Sequence, residues 1–136
     1  MSAAAHPDER ITRLRLQRVL HDFGALLAVT ASDDESFKVS TPFSFTNGDM
    51  FPIVFETRET GWRITDRGGT IENLTRGQGQ LTDRQIDAIE TIAHARDFTL
   101  SKSHHISAEC DDLPTPRRIA DLIAIEARIS DPRCLP

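Results

Sequence analysis

Asp66 is the acid in this chain best placed to do chemistry. It follows the alternating run Trp62-Arg63-Ile64-Thr65 and directly precedes Arg67-Gly68-Gly69-Thr70. A carboxylate that leaves a strand into a glycine-rich loop can bind a metal, act as a base or recognise a basic partner. The same spacing also serves a plain turn, in which the carboxylate accepts backbone N–H bonds and caps the next helix. That is the simpler reading. Gly68 and Gly69 offer amides to a phosphate, but the Lys-Ser/Thr that completes a P-loop is missing.

Asp49 with Glu56-Thr57-Arg58 echoes the acid, acid-x-lysine layout of some metal-dependent nucleases. Such a hydrolase, built on Asp49, Glu56 and Asp66, needs its carboxylates to converge on Mg²⁺ with a cation beside the attacking water. Arginine replaces lysine poorly there, and Asp49 also reads as a turn residue after Asn47-Gly48. His104-His105 with Cys110 or Asp112 raises zinc. Adjacent histidines on a strand point to opposite faces, and no CxxC or HxxxH spacing supports it. The sequence therefore assigns no catalytic residue, metal or cofactor.

Two arginine clusters invite a nucleic-acid reading, Arg10, Arg13, Arg15 and Arg18, then Arg117 and Arg118. Arg10, Arg13, Arg18, Arg117 and Arg118 would have to converge on one face. The net charge of −5 and pI near 5.5 work against this. Trp62 with Phe43, Phe45, Phe51 and Phe55 could stack bases on a sheet. Core is the simpler reading, unless helices leave one side of the sheet uncovered.

The elements that must position these residues are legible in outline. Apolar residues Ile11, Leu14, Val19, Leu20 and Phe23 predict a first helix from after Pro7 to about Asp22. Short strands follow at 26–30 and 37–40. Pro42 ends the second, and Asn47-Gly48 closes a hairpin. Phe51 to Thr57 and Trp62 to Thr65 are the next strands. Thr70 caps a short helix to Leu74, and Gly77 and Gly79 mark a connection. Thr82 and Gln85 form a capping box for a helix to about Arg96, with Ile86, Ile89, Ile92 and Ala93 inward. Two further strands fit 98–100 and 106–109. Thr115-Pro116 opens a last helix to about Ile129, with Ile119, Leu122, Ile123 and Ile129 inward. The fold class is α+β: an antiparallel β-meander packed by an N-terminal, a central and a C-terminal helix.

At 136 residues, 38% hydrophobic and 27% charged, the chain reads as one soluble domain, with a core from about 9 to 130 and short flexible tails. No apolar run reaches a membrane span and no secretion signal is visible, so the expected location is the cytoplasm. Cys110 and Cys134 are expected as free thiols.

The segment Ser40 to Leu74 resembles a bacterial and phage family known as domain of unknown function 1828. The resemblance rests on Thr41-Pro42-Phe43, Asn47-Gly48-Asp49, Ile53-Val54-Phe55, and Ile64-Thr65-Asp66 with Gly68, Thr70 and Leu74. It implies a phage or mobile-element setting and no established activity. The function expected is a non-enzymatic protein-interaction module, possible as a homodimer and as a regulator or inhibitor in host–phage conflict. Asn47, Asp49, Asp66 and Arg67 are its candidate contacts, with the sheet edge beside them. The alternatives are nucleic-acid binding through the helix arginines and the metal-dependent hydrolase.

Overall fold

The computed structural model describes residues 8–33, 35–131 and 133–136. Helix α1 (Glu9–Gly24) leads to strands β1 (Ala28–Ser32), β2 (Ser36–Ser40), β3 (Ile53–Arg58) and β4 (Gly61–Thr65). Helices α2 (Gly69–Gln78) and α3 (Asp83–His94) follow, then β5 (Thr99–Leu100), β6 (Ile106–Cys110) and α4 (Pro116–Ser130). The strands form one antiparallel sheet in the order β1-β2-β3-β4-β6-β5. The α+β meander is thus borne out. Among the described residues, no helix is long and apolar enough to cross a membrane.

Strand alternation sorts the sheet into two faces. Phe37, Phe55, Ile64 and Ala108 lie opposite one another across four strands and share one face. Ile53 and Ile106 fall on the same side, where Ile89 and Ala93 of α3 and Leu122, Ile125 and Ile129 of α4 complete the core. The other face carries the cross-strand row Glu56, Arg63 and Glu109. Arg63 Nε donates to Glu109 at 2.8 Å, and Arg67 reaches Glu56 at 2.8 Å. The side away from α3 and α4 therefore carries one row of alternating charge, beside the buried Val54 and Thr65. The aromatics do not form a base-stacking platform there: Phe55 and Trp62 sit on the covered side, and Phe45 and Phe51 are buried against each other.

Local chemistry explains the helix limits. Thr82 accepts the Gln85 N–H and the Gln85 side chain accepts the Thr82 N–H, which completes the expected capping box. Thr115 accepts the Arg118 N–H, with Pro116 in the first turn. Asp8 caps α1 by accepting from Arg10 and Ile11. Pro7 lies outside the described residues.

Several expectations change. Thr70 does not cap α2: the helix begins at Gly69, behind a left-handed Gly68, and runs past Leu74 through Gly77. Asn47-Gly48 does not close a tight β2–β3 hairpin. It tips a separate excursion, in which Phe45 N–H donates to Asp49 and Ser44 bridges Met50. The first edge strand is β1 at 28–32, two residues later than expected. The C-terminal tail is not loose throughout, because Leu135 packs against the core. The N-terminal tail before residue 8 lies outside the described residues.

The largest change concerns α1. It buries none of its residues, so it does not pack the sheet as expected. Its clearest link to the body is a tilted contact of Phe23 with Phe43, ring centroids 5.9 Å apart.

Candidate functional site

The Asp66 turn is a buried clamp. Thr65 ends β4, and Asp66 behind it is 1% exposed. Asp66 Oδ1 accepts the Gly68 N–H at 2.8 Å and the Ile106 N–H at 2.8 Å. Oδ2 accepts the Thr70 N–H at 3.3 Å. One carboxylate therefore joins the end of β4, the start of α2 and the start of β6. Buried N–H groups demand such partners. This bears out the turn-and-cap reading of Asp66. It also removes the Gly68-Gly69 phosphate cradle, because the amides of Gly68, Gly69 and Thr70 already bond Asp66. Gly68 is required here: at φ 81° a Cβ would lie 2.9 Å from the His105 ring.

Glu126 is the residue that sequence reasoning missed. Leu122, Ile125, Glu126 and Ile129 follow the i, i+3, i+4, i+7 spacing of the buried stripe of α4. Glu126 is 0% exposed. A glutamate on an apolar seam was the available signal. Burial pushes its carboxyl well above the usual carboxylate range, and the charge of Asp66 adds to the push. The nearby Thr70 hydroxyl works the other way, although neither carboxyl oxygen of Glu126 has a partner at hydrogen-bond geometry. Thr70 Oγ1 is equally buried and, among the described residues, equally without one. Asp66, Thr70 and Glu126 thus form a polar pocket inside the core.

Above this cluster opens a cleft of about 500 Å³, lined by the 45–47 loop, α2, Gln85, the end of α4 and Leu135. Asn47 and Thr70 both line it. Asp49 stands at the loop, where its Oδ2 accepts from Asn73 at 3.2 Å and Arg76 at 3.1 Å. Asn47 turns back on the same loop by accepting the Asp49 N–H.

The structure does not gather the hydrolase trio. Asp49 faces α2, Glu56 pairs with Arg67 and Arg63 on the charged face, and Asp66 is spent on backbone amides. Among the described residues, no group of three or more His, Cys, Asp or Glu side chains is placed to hold a metal ion. His104 and His105 lie in the turn between β5 and β6, with His104 at φ 66°.

The arginines stand on two separate helices. Arg118 lies over the Phe98 ring at 4.6 Å and donates to the Arg96 and Asp97 carbonyls at 2.9 and 3.0 Å. It stitches α4 to the end of α3. Arg117 is exposed beside Asp121. Arg10, Arg13 and Arg18 stand on α1, where Glu9 and Asp22 flank Arg13 and Arg18 at 3.7 and 3.4 Å.

What α1 and its flank do present is apolar. Leu16, Val19, Leu20 and Phe23 form an i, i+3, i+4, i+7 stripe with exposures of 57, 61, 68 and 43%. Leu26, just before β1, and Val29 on that edge strand are also exposed. The sequence had placed this stripe through Ile11 and Leu14, which lie on the other side of the helix.

A family model described as "Domain of unknown function DUF1828" matches residues 41–129. Comparison with curated proteins and with solved structures gives no match.

Proposed function

We propose that this chain, which belongs to the family described as domain of unknown function DUF1828, is a non-enzymatic protein-interaction module that docks through its N-terminal helix. One observation carries the reading: α1 exposes a continuous apolar stripe that the body of the protein does not cover. Contiguous exposed apolar surface of this kind marks a contact site. Amphipathic helices are read by partners through i, i+3, i+4 and i+7 anchors in a groove.

Charge selects the partner. Arg10, Arg13, Arg15 and Arg18 outnumber Glu9 and Asp22 on α1, although the whole chain carries −5. The fitting partner is a protein with an apolar groove rimmed by carboxylates. A second copy would bring the surplus arginines together and is the less favourable occupant. Asn47, Asp49 and Arg67 remain exposed and can add polar contacts, whereas Asp66 acts inside the fold. In the phage or mobile-element setting that the family resemblance implies, such a module would inhibit or regulate a host protein complex.

The test compares the native chain with a Leu16→Glu, Val19→Glu variant in pull-downs from the native host, with nuclease and at two salt concentrations. Size-exclusion chromatography with light scattering runs alongside. The expected result is one discrete protein held by the native chain through nuclease and lost by the variant, with equal unfolding midpoints. Equal retention by both chains refutes the docking surface. Loss of all partners on nuclease treatment moves the function to nucleic acid, and a dimer that the variant breaks makes the occupant a second copy.

A further inference from the structure

We infer that Asn47-Gly48 is a self-modifying site, at which the Asn47 side chain loses ammonia and becomes an aspartyl or isoaspartyl group. The pair sits at the exposed tip of the excursion between β2 and β3. Asparagine is among the chemically labile residues, and three features of this tip expose it to attack.

The nucleophile is the Gly48 backbone nitrogen, and the electrophile is Cγ of the Asn47 carboxamide. Both belong to one dipeptide, so the attack is intramolecular and needs no partner. Gly48 also has no side chain to shield its nitrogen. The space where a Cβ would stand is open, with no atom beyond the chain neighbours within 4 Å.

Two contacts fall on the atoms that the reaction changes. Asp49 N–H donates to Asn47 Oδ1 at 3.1 Å, where negative charge develops as the nitrogen attacks. Asn47 Nδ2, the leaving nitrogen, donates to Asp49 Oδ2 at 3.4 Å, and a carboxyl group there can carry it a proton from water. The opposing contact is the Gly48 N–H bond to the Phe45 carbonyl at 3.0 Å, which must open first. It lies at an exposed loop tip, where such bonds open at little cost.

The atoms balance. The Gly48 nitrogen bonds Asn47 Cγ and gives its proton to water, the Cγ–Nδ2 bond breaks, and Nδ2 leaves as ammonia. Water then opens the cyclic imide at either carbonyl, with no oxidation. The product adds one negative charge to a chain of −5 and removes the amide that faced Asp49. The chain's other asparagine, Asn73, is the internal comparison. It lies inside α2 and precedes Leu74, whose nitrogen is held in the helix beside a bulky side chain.

The experiment incubates the full folded chain at mildly alkaline pH and follows it by intact mass, peptide mapping and anion exchange. A urea-unfolded sample and an Asn47→Gln chain run alongside. The expected result is the mass gain of ammonia exchanged for water, with later elution, in the folded chain. It should map to Asn47 at a rate at least about tenfold that at Asn73, whose attack must break a helical hydrogen bond. Asn47→Gln keeps an amide but requires a larger ring, so it should abolish the gain. A folded chain that gains nothing overturns the inference, whether or not the unfolded sample reacts. So does a gain that survives in Asn47→Gln, or one that appears equally at Asn73.

Discussion

Replacing Glu126 by Gln tests the interior directly. The carboxyl is fully buried, unpaired and beside Asp66, and its folded titration point lies well above the ordinary 4.5. The unfolded chain releases this proton near 4.5, whereas the folded chain still holds it. Between those points the unfolded state binds fewer protons, so stability falls as pH rises. One proton gives a slope of about 1.4 kcal/mol per pH unit at most. Gln cannot ionise and lacks that slope. It also buries an amide, a cost of about 1–3 kcal/mol that does not vary with pH. The informative quantity is therefore the slope of the difference, not its offset. Urea unfolding, followed by the single, half-buried Trp62, should be measured for both chains from pH 4.5 to 8. The native chain should lose stability relative to Glu126→Gln as pH rises above about 4.5, and the loss should continue until the folded carboxyl itself ionises. Asp131, held at about 2 by Arg133, and Asp33, lowered by the backbone N–H of Glu35, titrate below this window. A pH-independent difference would refute the reasoning, since it would mean that Glu126 ionises in the folded state as easily as in the unfolded one.

The remaining predictions concern the clamp, a turn and the N-terminal flank. Asp66→Ala strands the amides of Gly68, Thr70 and Ile106 and should cost at least about 3 kcal/mol in urea unfolding. Gly61→Ala places a Cβ against the Cys110 carbonyl oxygen at φ 103° and should lower stability by more than about 1 kcal/mol by the same measurement. Deleting residues 1–24 should leave the unfolding midpoint within about 0.5 kcal/mol of the native chain, because α1 buries nothing. Deleting residues 1–40 should instead produce concentration-dependent aggregation in light scattering, because β3 loses its partner β2.

Most of the fold was legible because its signals are local. A capping box, a Thr-Pro helix start and strands bounded by glycine and proline act within a few residues; the two helix starts were found where the pattern placed them, and β1 and β3 within two residues of it. The site was not legible because it is assembled over long separations. Asp66 bonds Ile106, forty residues on. Thr70 meets Glu126 only after α2 and α4 pack. Periodicity could have flagged Glu126, since it occupies an apolar-seam position, but an inward glutamate is normally read as a break in the pattern. The N-terminal helix failed in the opposite way. Its amphipathic spacing is real, and periodicity reports an apolar stripe without saying which molecule covers it.

That last distinction separates the two halves of the functional argument. The family match begins at Thr41, so α1, β1 and β2 all lie before it. They are not equivalent. β2 hydrogen-bonds β3 along Ser36 to Val39 and covers an edge that would otherwise present unpaired N–H and C=O groups. β1 in turn pairs β2 through a bulge between Val29 and Ala31, and bulges blunt an edge. The hairpin is thus explained by what it does for the sheet. α1 does nothing comparable: none of its residues is buried, and among the described residues the ion pairs of its Arg13 and Arg18 are with Glu9 and Asp22 of the same helix. Leaving such side chains in water forgoes the burial energy that ordinarily fixes a helix of this length. A stripe that folding does not use is best explained by binding. The matched body holds the Asp66 clamp and the cleft, whereas α1 lies outside the match and outside the packing that holds the body together.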